Sequence, residues 1–293
     1  MTFVLTALAL VAFAANSVLC RLALGGEAID PWSFTAMRLG TGALVLLALT
    51  VGRRRRLAVE LAREGTEAGI IETGPVARRA GWKRAGYLGL YALPFSLAYV
   101  SLDTGTGALL LFGSVQLTMI ALGLRAGERP RPLEWLAFMG AAGGMVYFVL
   151  PGVTAPDPIG AALMVAAGVG WGFYSIVGKG AGDPAVTTAD AFLRSALIVV
   201  PLTVMAWSLL SMTPYGLLLA TISGTLTSGI GYVIWYAALR HLSATRAALV
   251  QLSVPIIAAV GGVTFLAEAV TLRLGIASVV ILGSIAIGVA ARR

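Results

Sequence analysis

Four polar side chains interrupt stretches of sequence that are otherwise apolar. Asn16, Arg38, Gln116 and Gln251 each lie within or beside a long run of uncharged, mostly hydrophobic residues. A polar group in apolar surroundings costs free energy unless it is hydrogen-bonded or paired, so each of these side chains needs a partner. In a membrane helix that partner is either another helix or a solute in a polar cavity. These residues therefore indicate reversible binding of a small polar solute, with helix packing as the alternative.

Aromatic residues recur at helical spacing. Tyr87, Tyr91, Phe95 and Tyr99 follow one another every four residues, which places them along one face of a helix. Such a face either packs against other helices or stacks on an aromatic ligand, and each good ring pair contributes roughly 0.5–1.5 kcal/mol beyond burial of area. With the polar residues and a second aromatic set, the candidate substrate-contacting residues are Asn16, Arg38, Tyr91, Phe95, Tyr99, Gln116, Trp171, Tyr174, Tyr232, Trp235 and Gln251. Gln116 and Gln251 are candidates for the amino and carboxyl groups of a zwitterion.

Two arginines lie inside predicted helices and differ in their local partners. Arg194 follows Asp190 by one turn, a spacing that predicts an ion pair on one helix face. Arg38 has no acidic residue one turn away. Placing an arginine at the centre of a membrane costs roughly 2.5–3.5 kcal/mol on insertion scales. Arg38 therefore needs a contact between helices, a route to water or the carboxylate of a substrate.

The residues that the chain lacks exclude most catalytic chemistry. Cys20 is the only cysteine and His241 the only histidine, so neither a disulfide, a zinc site nor a histidine-dependent triad has its partners. We expect no metal, no cofactor and no enzymatic reaction; an enzyme acting on lipid would need a nucleophile, a metal site or a carboxylate cluster. The apolar cores contain no Asp or Glu, the usual intramembrane proton relays. A neutral or zwitterionic solute with weak or no proton coupling is therefore expected.

The elements that must position these residues are membrane helices. Of the 293 residues, 58% are apolar and 12% charged, about half the charge of a typical soluble domain. A membrane-spanning helix needs about 20 mostly apolar residues. Charge-free stretches that supply such helices run over 2–20, 39–52, 85–102, 104–124, 135–156, 158–178, 195–239, 247–267 and 274–291, and the long stretch 195–239 holds two of them. The sequence thus predicts ten spans and excludes a soluble enzyme, a nucleic-acid-binding domain and a secreted disulfide scaffold.

The net charge of +8 is arranged by membrane side. With a cytoplasmic N-terminus, seventeen of the 21 Lys and Arg residues fall in the inner loops 52–84, 125–132, 179–182 and 240–246 and in the C-terminal tail. Such a bias sets orientation in the membrane. We expect both termini in the cytoplasm of a bacterial cell, a protein in its inner membrane, and no nucleic-acid partner.

A weak internal repeat divides the chain. Asp30-Pro31 precedes Arg38 near the start of helix 2, and Asp183-Pro184 precedes Arg194 near the start of helix 7. The halves are 1–151, which includes the cytoplasmic loop 53–84, and 156–293. Five spans in each half force opposite orientations in the membrane. Inverted repeats are typical of secondary transporters with a midplane substrate site between the halves, and Pro94 and Pro255 are the residues at which we expect gating bends.

The repeat resembles the EamA-type module of the drug/metabolite transporter superfamily. The matching features are the two Asp-Pro helix starts with an arginine further in, the ends at Gly127-Glu128 and Ala267-Glu268, and the string that begins Tyr236-Ala-Ala-Leu-Arg-His-Leu. The chain is most similar to the YddG-type exporters of aromatic amino acids. The resemblance implies an all-α integral membrane protein of ten transmembrane helices in two inverted-topology five-helix repeats, working by alternating access without ATP.

Export of amino acids, aromatic ones favoured, and of related metabolites is the expected function. A broad drug or metabolite exporter is the alternative, because the same aromatic cavity accepts other apolar solutes. An exchanger of phosphorylated sugars or nucleotide sugars would need several basic residues at the cavity, and the helices offer only Arg38 and Arg194. The lipid bilayer and a small-molecule substrate are the expected partners. Packing motifs leave the oligomeric state open, with a monomer favoured.

Overall fold

The computed structural model is helical throughout the residues it describes. These are 2–64, 75–125, 127, 131–152, 154–178, 183–239, 241–242 and 250–291, without the side chains of 52–64, 75–78 and 289. Within these ranges the chain forms no β-strand, in agreement with the all-α prediction. Parts of the predicted inner loops and the segment 243–249 of the predicted hairpin between helices 8 and 9, with Glu128, lie outside the described residues.

Ten helical segments follow one another along the described chain. They are α1 (Thr2–Gly25), α2 (Pro31–Glu64), α3 (Pro75–Ala98), α4 (Thr104–Arg125), α5 (Pro132–Val149), α6 (Pro158–Gly178), α7 (Pro184–Met205), α8 (Pro214–Leu239), α9 (Ser253–Leu266) and α10 (Leu272–Ala290). By length and composition, seven of them contain a span long and apolar enough to cross a membrane: α1, α2 and α4 to α8. The helices α9 and α10 are shorter and apolar, and α3 carries basic residues in its first half. The count of ten spans stays a prediction.

Proline and short polar side chains set the helix starts. Pro31 and Pro184 each occupy the first helical position, where the missing N–H costs nothing. Before them, Asp30 accepts backbone N–H bonds from Trp32 and Ser33, and Asp183 caps α7 in the same way. The two Asp-Pro pairs that the sequence analysis singles out are therefore helix N-caps.

The segment predicted as a cytoplasmic loop is largely helical in its backbone. The helix α2 continues through the charged residues to Glu64, and α3 begins at Pro75. Leu, Ala, Arg and Glu all have favourable helix propensity, which accounts for the extension. Residues 57–64 of the predicted loop are thus the end of α2.

The helix pairings are related by a shift of five helices. α3 packs on α6 and α8 packs on α1; α4 packs on α6 and α9 on α1; α3 packs on α7 and α8 on α2. Three further pairs are their own counterparts, namely α2 with α7, α4 with α9 and α5 with α10. Each half therefore meets the other through the same set of helices, and α1, α3, α4, α6 and α8 converge on the centre.

Two irregularities interrupt the helices near the centre. In α8, residues Ser223–Ile230 form a π-helix, a wider turn that is frequent at functional sites. Gly224 in this segment lies against the backbone of Arg38 so closely that a Cβ atom there would meet the Arg38 carbonyl oxygen and Thr41. Before α9, helical residues 250–251 are followed by a turn at Leu252, because Pro255 cannot donate to the carbonyl of Gln251.

Candidate substrate cavity

Trp171 of α6 is the centre of a cluster of aromatic rings. Its ring centroid lies 4.9 Å from those of Tyr91 and Tyr232, 5.5 Å from that of Tyr174 and 6.1 Å from that of Phe13. The interplanar angles run from 39° to 78°, so the rings meet edge to face or tilted, as isolated aromatic pairs prefer. Four helices, α1, α3, α6 and α8, contribute these rings.

The aromatic face predicted on α3 is present, but its first residue, Tyr87, has a different contact from the other three. Tyr91 and Phe95 have ring centroids 5.2 Å apart, and Phe95 and Tyr99 are 4.9 Å apart. Tyr87 instead stacks on Phe173 at 5.0 Å with an interplanar angle of 13°. The face therefore delivers Tyr91 and Phe95 to the centre of the molecule, while Tyr87 joins α3 to α6.

A small enclosed cavity lies inside this cluster. Its volume is about 20 Å³, the space of about one water molecule. The lining residues are Phe13, Asn16, Ser17, Tyr91, Phe95, Leu111, Phe112, Trp171 and Tyr232. We call the rings of Phe13, Tyr91, Phe95, Trp171 and Tyr232 the aromatic cage. A cavity of this size is too small to hold an amino acid in this conformation.

Asn16 is the amide in the cavity wall, and α8 holds it by its oxygen. The Oδ1 atom accepts hydrogen bonds from the hydroxyl groups of Ser223 at 2.7 Å, Thr227 at 3.0 Å and Ser228 at 3.4 Å. All three donors belong to the π-helix of α8, and all four side chains are buried. Because the hydroxyl groups use the oxygen, the N–H groups are the part of Asn16 that remains for a ligand.

Arg38 is fully buried behind two rings of the cage. Its side chain is 1% exposed, and its guanidinium carbon lies 5.4 Å from the ring centroid of Tyr91 and 5.0 Å from that of Phe95. One terminal nitrogen, Nη2, donates to the carbonyl oxygen of Ala92 at 3.1 Å. The other, Nη1, has no hydrogen-bond partner among the described residues. Tyr91 and Phe95 thus separate an incompletely satisfied cation from the cavity.

Besides Arg38, five of the predicted contact residues lie outside the cavity lining. Tyr174 and Trp235 form a second layer of rings behind Trp171 and Phe13, and Tyr99 packs beyond Phe95. Gln116 is buried and Gln251 half-buried, both away from the lining. The role in holding a zwitterion that the sequence suggests for the two glutamines therefore has no support in this conformation.

Sequence reasoning did not find four of the lining residues. Phe13 and Ser17 flank Asn16 on α1, and their spacing from it is the signal that was available. Leu111 and Phe112 lie in an unbroken apolar run of α4, where nothing in the sequence marks one residue over the next. The helix packing alone selects them.

Comparison with known proteins identifies the family. A model described as the EamA-like transporter family matches residues 158–289. The Pseudomonas aeruginosa protein PA1977 is 45% identical over 291 residues, 99% of this chain and 95% of that protein. The threonine/homoserine exporters RhtA of Salmonella typhimurium and Escherichia coli are 30% identical over 252 residues, 81% of this chain and 74% of theirs. The chain belongs to the EamA-like transporter family.

The similarity in fold extends to a solved crystal structure. That structure aligns with a TM-score of 0.64 at 20% identity, covering 96% of this chain and 95% of its own, a likeness that shows the fold. The EamA-like transporter is a multi-pass membrane protein within the drug/metabolite transporter superfamily, as the resemblance of its repeats implies. Its specificity for aromatic substrates stays a prediction.

An ionic network ties three elements of this EamA-like transporter together at one end of the cavity. Arg21 of α1 lies 3.4 Å from carboxylate oxygens of both Asp103 and Glu268, and it donates to the carbonyl oxygen of Val100 at 2.9 Å. Glu268 also accepts from the backbone N–H of Thr104 at 2.9 Å, which caps α4 from the connection between α9 and α10. Arg21 follows the cavity residue Ser17 by one turn, or about 6 Å. The network therefore closes this end of the molecule.

A second charged cluster lies between α3 and α7. The predicted ion pair between Arg194 and Asp190 is confirmed, with Nε and Oδ1 2.6 Å apart. Arg84 of α3 lies 3.9 Å from the other oxygen of Asp190, and Arg194 also packs over the ring of Trp82. Arg194 is thus engaged in holding helices from the two halves together.

Proposed function

We propose that this transporter exports amino acids, aromatic ones favoured, across the inner membrane by alternating access between the halves 1–151 and 156–293. The observation that carries the proposal is the aromatic cage around an enclosed cavity where helices of both halves meet. Rings that meet edge to face offer faces and edges on which an aromatic side chain can stack. The hydroxyl of Ser17 and the N–H groups of Asn16 supply polar contacts in the same wall.

The helix pairs that are related by a shift of five helices support the inverted-repeat arrangement and its gating. In such an arrangement each half supplies one gate. Opening towards the outside requires that the network of Arg21, Asp103 and Glu268 separates and that the cage widens. Pro94 in α3 and Pro255 at the start of α9 lie where the helices lack a backbone hydrogen bond, so we propose bending there. The candidate residues outside the lining then border the path of the substrate and contact it only as the cavity opens. They are Tyr99, Tyr174, Trp235, Gln116 and Gln251.

The distribution of basic residues supports one orientation of the chain in the membrane. We propose that the N- and C-termini face the cytoplasm, as the excess of Lys and Arg in the corresponding loops favours. The network around Arg21 and Glu268 then lies on the periplasmic side, and the cluster around Arg194 and Asp190 on the cytoplasmic side. Reaction of single introduced cysteines at exposed loop positions with impermeant thiol reagents tests this orientation in intact cells.

Counterflow in proteoliposomes tests the substrate class. Vesicles loaded with unlabelled phenylalanine receive labelled phenylalanine outside, at equal pH on both sides. A carrier with an aromatic-accepting site accumulates label transiently, and tryptophan and tyrosine compete while a sugar phosphate does not. If folded protein accumulates no labelled phenylalanine, the proposed aromatic specificity is wrong, and the family's export function is left without an assigned substrate.

Replacing Trp171 tests whether the cage is the binding site. We expect Trp171→Ala to weaken competition by phenylalanine about tenfold or more, because two lost ring contacts are together worth roughly 1–3 kcal/mol. Trp171→Phe keeps one ring at this position, so it should weaken competition by phenylalanine less than Trp171→Ala does. Trp135→Ala is the matched control, since Trp135 of α5 is 45% exposed and contacts Phe138 outside the cage. Equal competition in all three variants would place the site elsewhere.

Export of threonine or homoserine is the second candidate function. The 30% identity to the threonine/homoserine exporters RhtA favours it over exchange of phosphorylated sugars or nucleotide sugars. Competition in the same counterflow assay separates it from aromatic export, because threonine should outcompete tryptophan only if a small hydroxylic side chain fits the site better than a ring. A broad metabolite exporter would accept both, together with solutes unrelated to amino acids.

A further inference from the structure

Arg38 carries a positive charge at the cage that no described acidic side chain neutralises. The described ion pairs inside the bundle join Arg21 to Asp103 and Glu268, and Arg84 and Arg194 to Asp190. Arg38 takes part in none of them, and its Nη1 atom is buried without a hydrogen bond. An ionisable group held inside a membrane protein without its partner marks a functional site.

The cavity offers nothing of opposite sign to a positively charged substrate group. Its lining contains no acidic residue, and the single amide oxygen in the wall, on Asn16, already accepts from three hydroxyl groups. The described carboxylates of Asp30 and Glu268 cap helices. An ammonium group would find only ring faces and neutral hydroxyl groups, whereas a carboxylate would find the unpartnered Nη1 group of Arg38 once the rings in front of it move.

The rings of Tyr91 and Phe95 lie between the incompletely bonded Arg38 and the cavity that has no acidic residue in its lining. Both rings line the cavity on one side and contact the guanidinium group on the other. The cavity is too small for a substrate in this conformation, so these rings must move when one binds. Their movement brings the unpartnered edge of Arg38 into the cavity, where a planar guanidinium group can bind a carboxylate through two parallel hydrogen bonds.

We propose that Arg38 makes the substrate carboxylate, and not the amino group, the required feature, and that the transporter therefore also exports aromatic monocarboxylates without an amino group, such as 2-hydroxy acids. The proposal rests on the function proposed above for the same cavity. It has a consequence for energetics. A zwitterion leaves the cell without net charge, whereas a monocarboxylate carries one negative charge outwards and is driven by an inside-negative membrane potential.

A panel of three phenyl compounds in proteoliposomes tests the proposal. Unlabelled phenyllactate, which has only the carboxylate, should compete with labelled phenylalanine in counterflow within about threefold of unlabelled phenylalanine, and phenylethylamine, which has only the ammonium, should not compete. Counterflow of phenylalanine without competition by phenyllactate overturns this inference and leaves the proposed function intact. Failure of phenylalanine counterflow rejects the proposed function itself. Equal competition by phenylethylamine also overturns the inference.

The membrane potential gives an independent measurement. With a potassium gradient and valinomycin imposing about 100 mV, inside negative, labelled phenyllactate should distribute about fifty-fold in favour of the outside, since one charge crossing that potential is worth about 2.3 kcal/mol. Phenylalanine should distribute evenly. This ratio is an equilibrium quantity, so the orientation of the protein in the vesicles does not affect it. Protein-free liposomes correct for passive leak, and a phenyllactate ratio that ignores the potential overturns the proposal.

Variants of Arg38 connect the result to this residue. Arg38→Gln should abolish counterflow of both labelled phenylalanine and labelled phenyllactate, and Arg38→Lys should keep a weakened counterflow of both, because an ammonium group retains the charge without the paired N–H geometry. Arg273→Gln is the matched control, as Arg273 bonds the carbonyl of Leu150 at the surface. Unchanged counterflow of either compound in folded Arg38→Gln overturns the proposal, and the compound panel with unchanged protein decides it if that variant does not fold.

Discussion

Asn16 and Arg38 lie on two sides of the same aromatic cage, and the surrounding helices satisfy them to different degrees. Asn16 is 3% exposed, and three hydroxyl groups of α8 converge on its oxygen. Arg38 is more deeply buried, yet it has one hydrogen bond, two ring contacts and a terminal nitrogen without a partner. A satisfied buried group holds helices together, whereas an unsatisfied one destabilises the closed state until a ligand completes it. The comparison separates a side chain that the helices hold through its oxygen from one whose terminal nitrogen has no partner among the described residues.

We expect the largest effect from breaking the contact between α2, which carries Arg38, and α8, whose hydroxyl groups bond Asn16. Gly224→Ala places a methyl group against the Arg38 carbonyl oxygen and Thr41, where backbone cannot give way. We expect α2 and α8 to separate and the free energy of unfolding to fall by about 3 kcal/mol or more, at the upper end for overpacking. Thermal unfolding in detergent measures the change. Gly275→Ala is the control, because a Cβ atom there meets nothing within 4 Å.

Removing the satisfied group should cost stability. Asn16→Ala deletes the acceptor shared by Ser223, Thr227 and Ser228, and we expect the free energy of unfolding to fall by about 1–2 kcal/mol, the upper range for hydrogen bonds between membrane helices. Chemical or thermal unfolding of the purified protein gives the value. A variant as stable as the unchanged protein would show that these bonds add nothing to the packing of α1 on α8.

Removing the unsatisfied group should cost the least stability. Arg38→Gln deletes a buried charge that has no acidic partner among the described residues. We expect a free energy of unfolding within about 0.5 kcal/mol of the unchanged protein, or above it, because loss of an unpaired buried charge relieves a desolvation penalty. The same unfolding assay applies. A loss larger than that of Asn16→Ala would reverse the comparison and make Arg38 a structural residue.

Much of the fold and part of the site follow from local sequence. Long apolar runs predict the helices, the Asp-Pro pairs predict the starts of α2 and α7, and the spacing of Asp190 and Arg194 predicts their ion pair. The aromatic spacing on α3 brings Tyr91 and Phe95 to the cavity as expected. These features depend on neighbours within a turn or two, where helix geometry fixes the distance between side chains.

Other features of the site cannot be predicted from residues within one or two helical turns. Trp171 is at the centre of the cage, while Gln116 and Gln251, equally conspicuous in the sequence, lie away from the lining. Phe112 lines the cavity although nothing distinguishes it from the apolar residues around it. The π-helix of α8 and the close approach of Gly224 to α2 depend on which helix packs opposite, and one-dimensional spacing carries no such information.

By itself the sequence determined that this protein lies in a membrane, that it is built from apolar helices with defined starts, and that it contains a weak repeat. Hydropathy and helix periodicity are local properties, so they can be read along the chain. Only the tertiary structure decided that Asn16 is satisfied and Arg38 is not, because partners such as Ser223 and Ala92 lie 207 and 54 residues away in the chain. Whether a buried polar group has all of its hydrogen-bond partners depends on those distant neighbours, and that difference is the basis for proposing Arg38 as a binding residue.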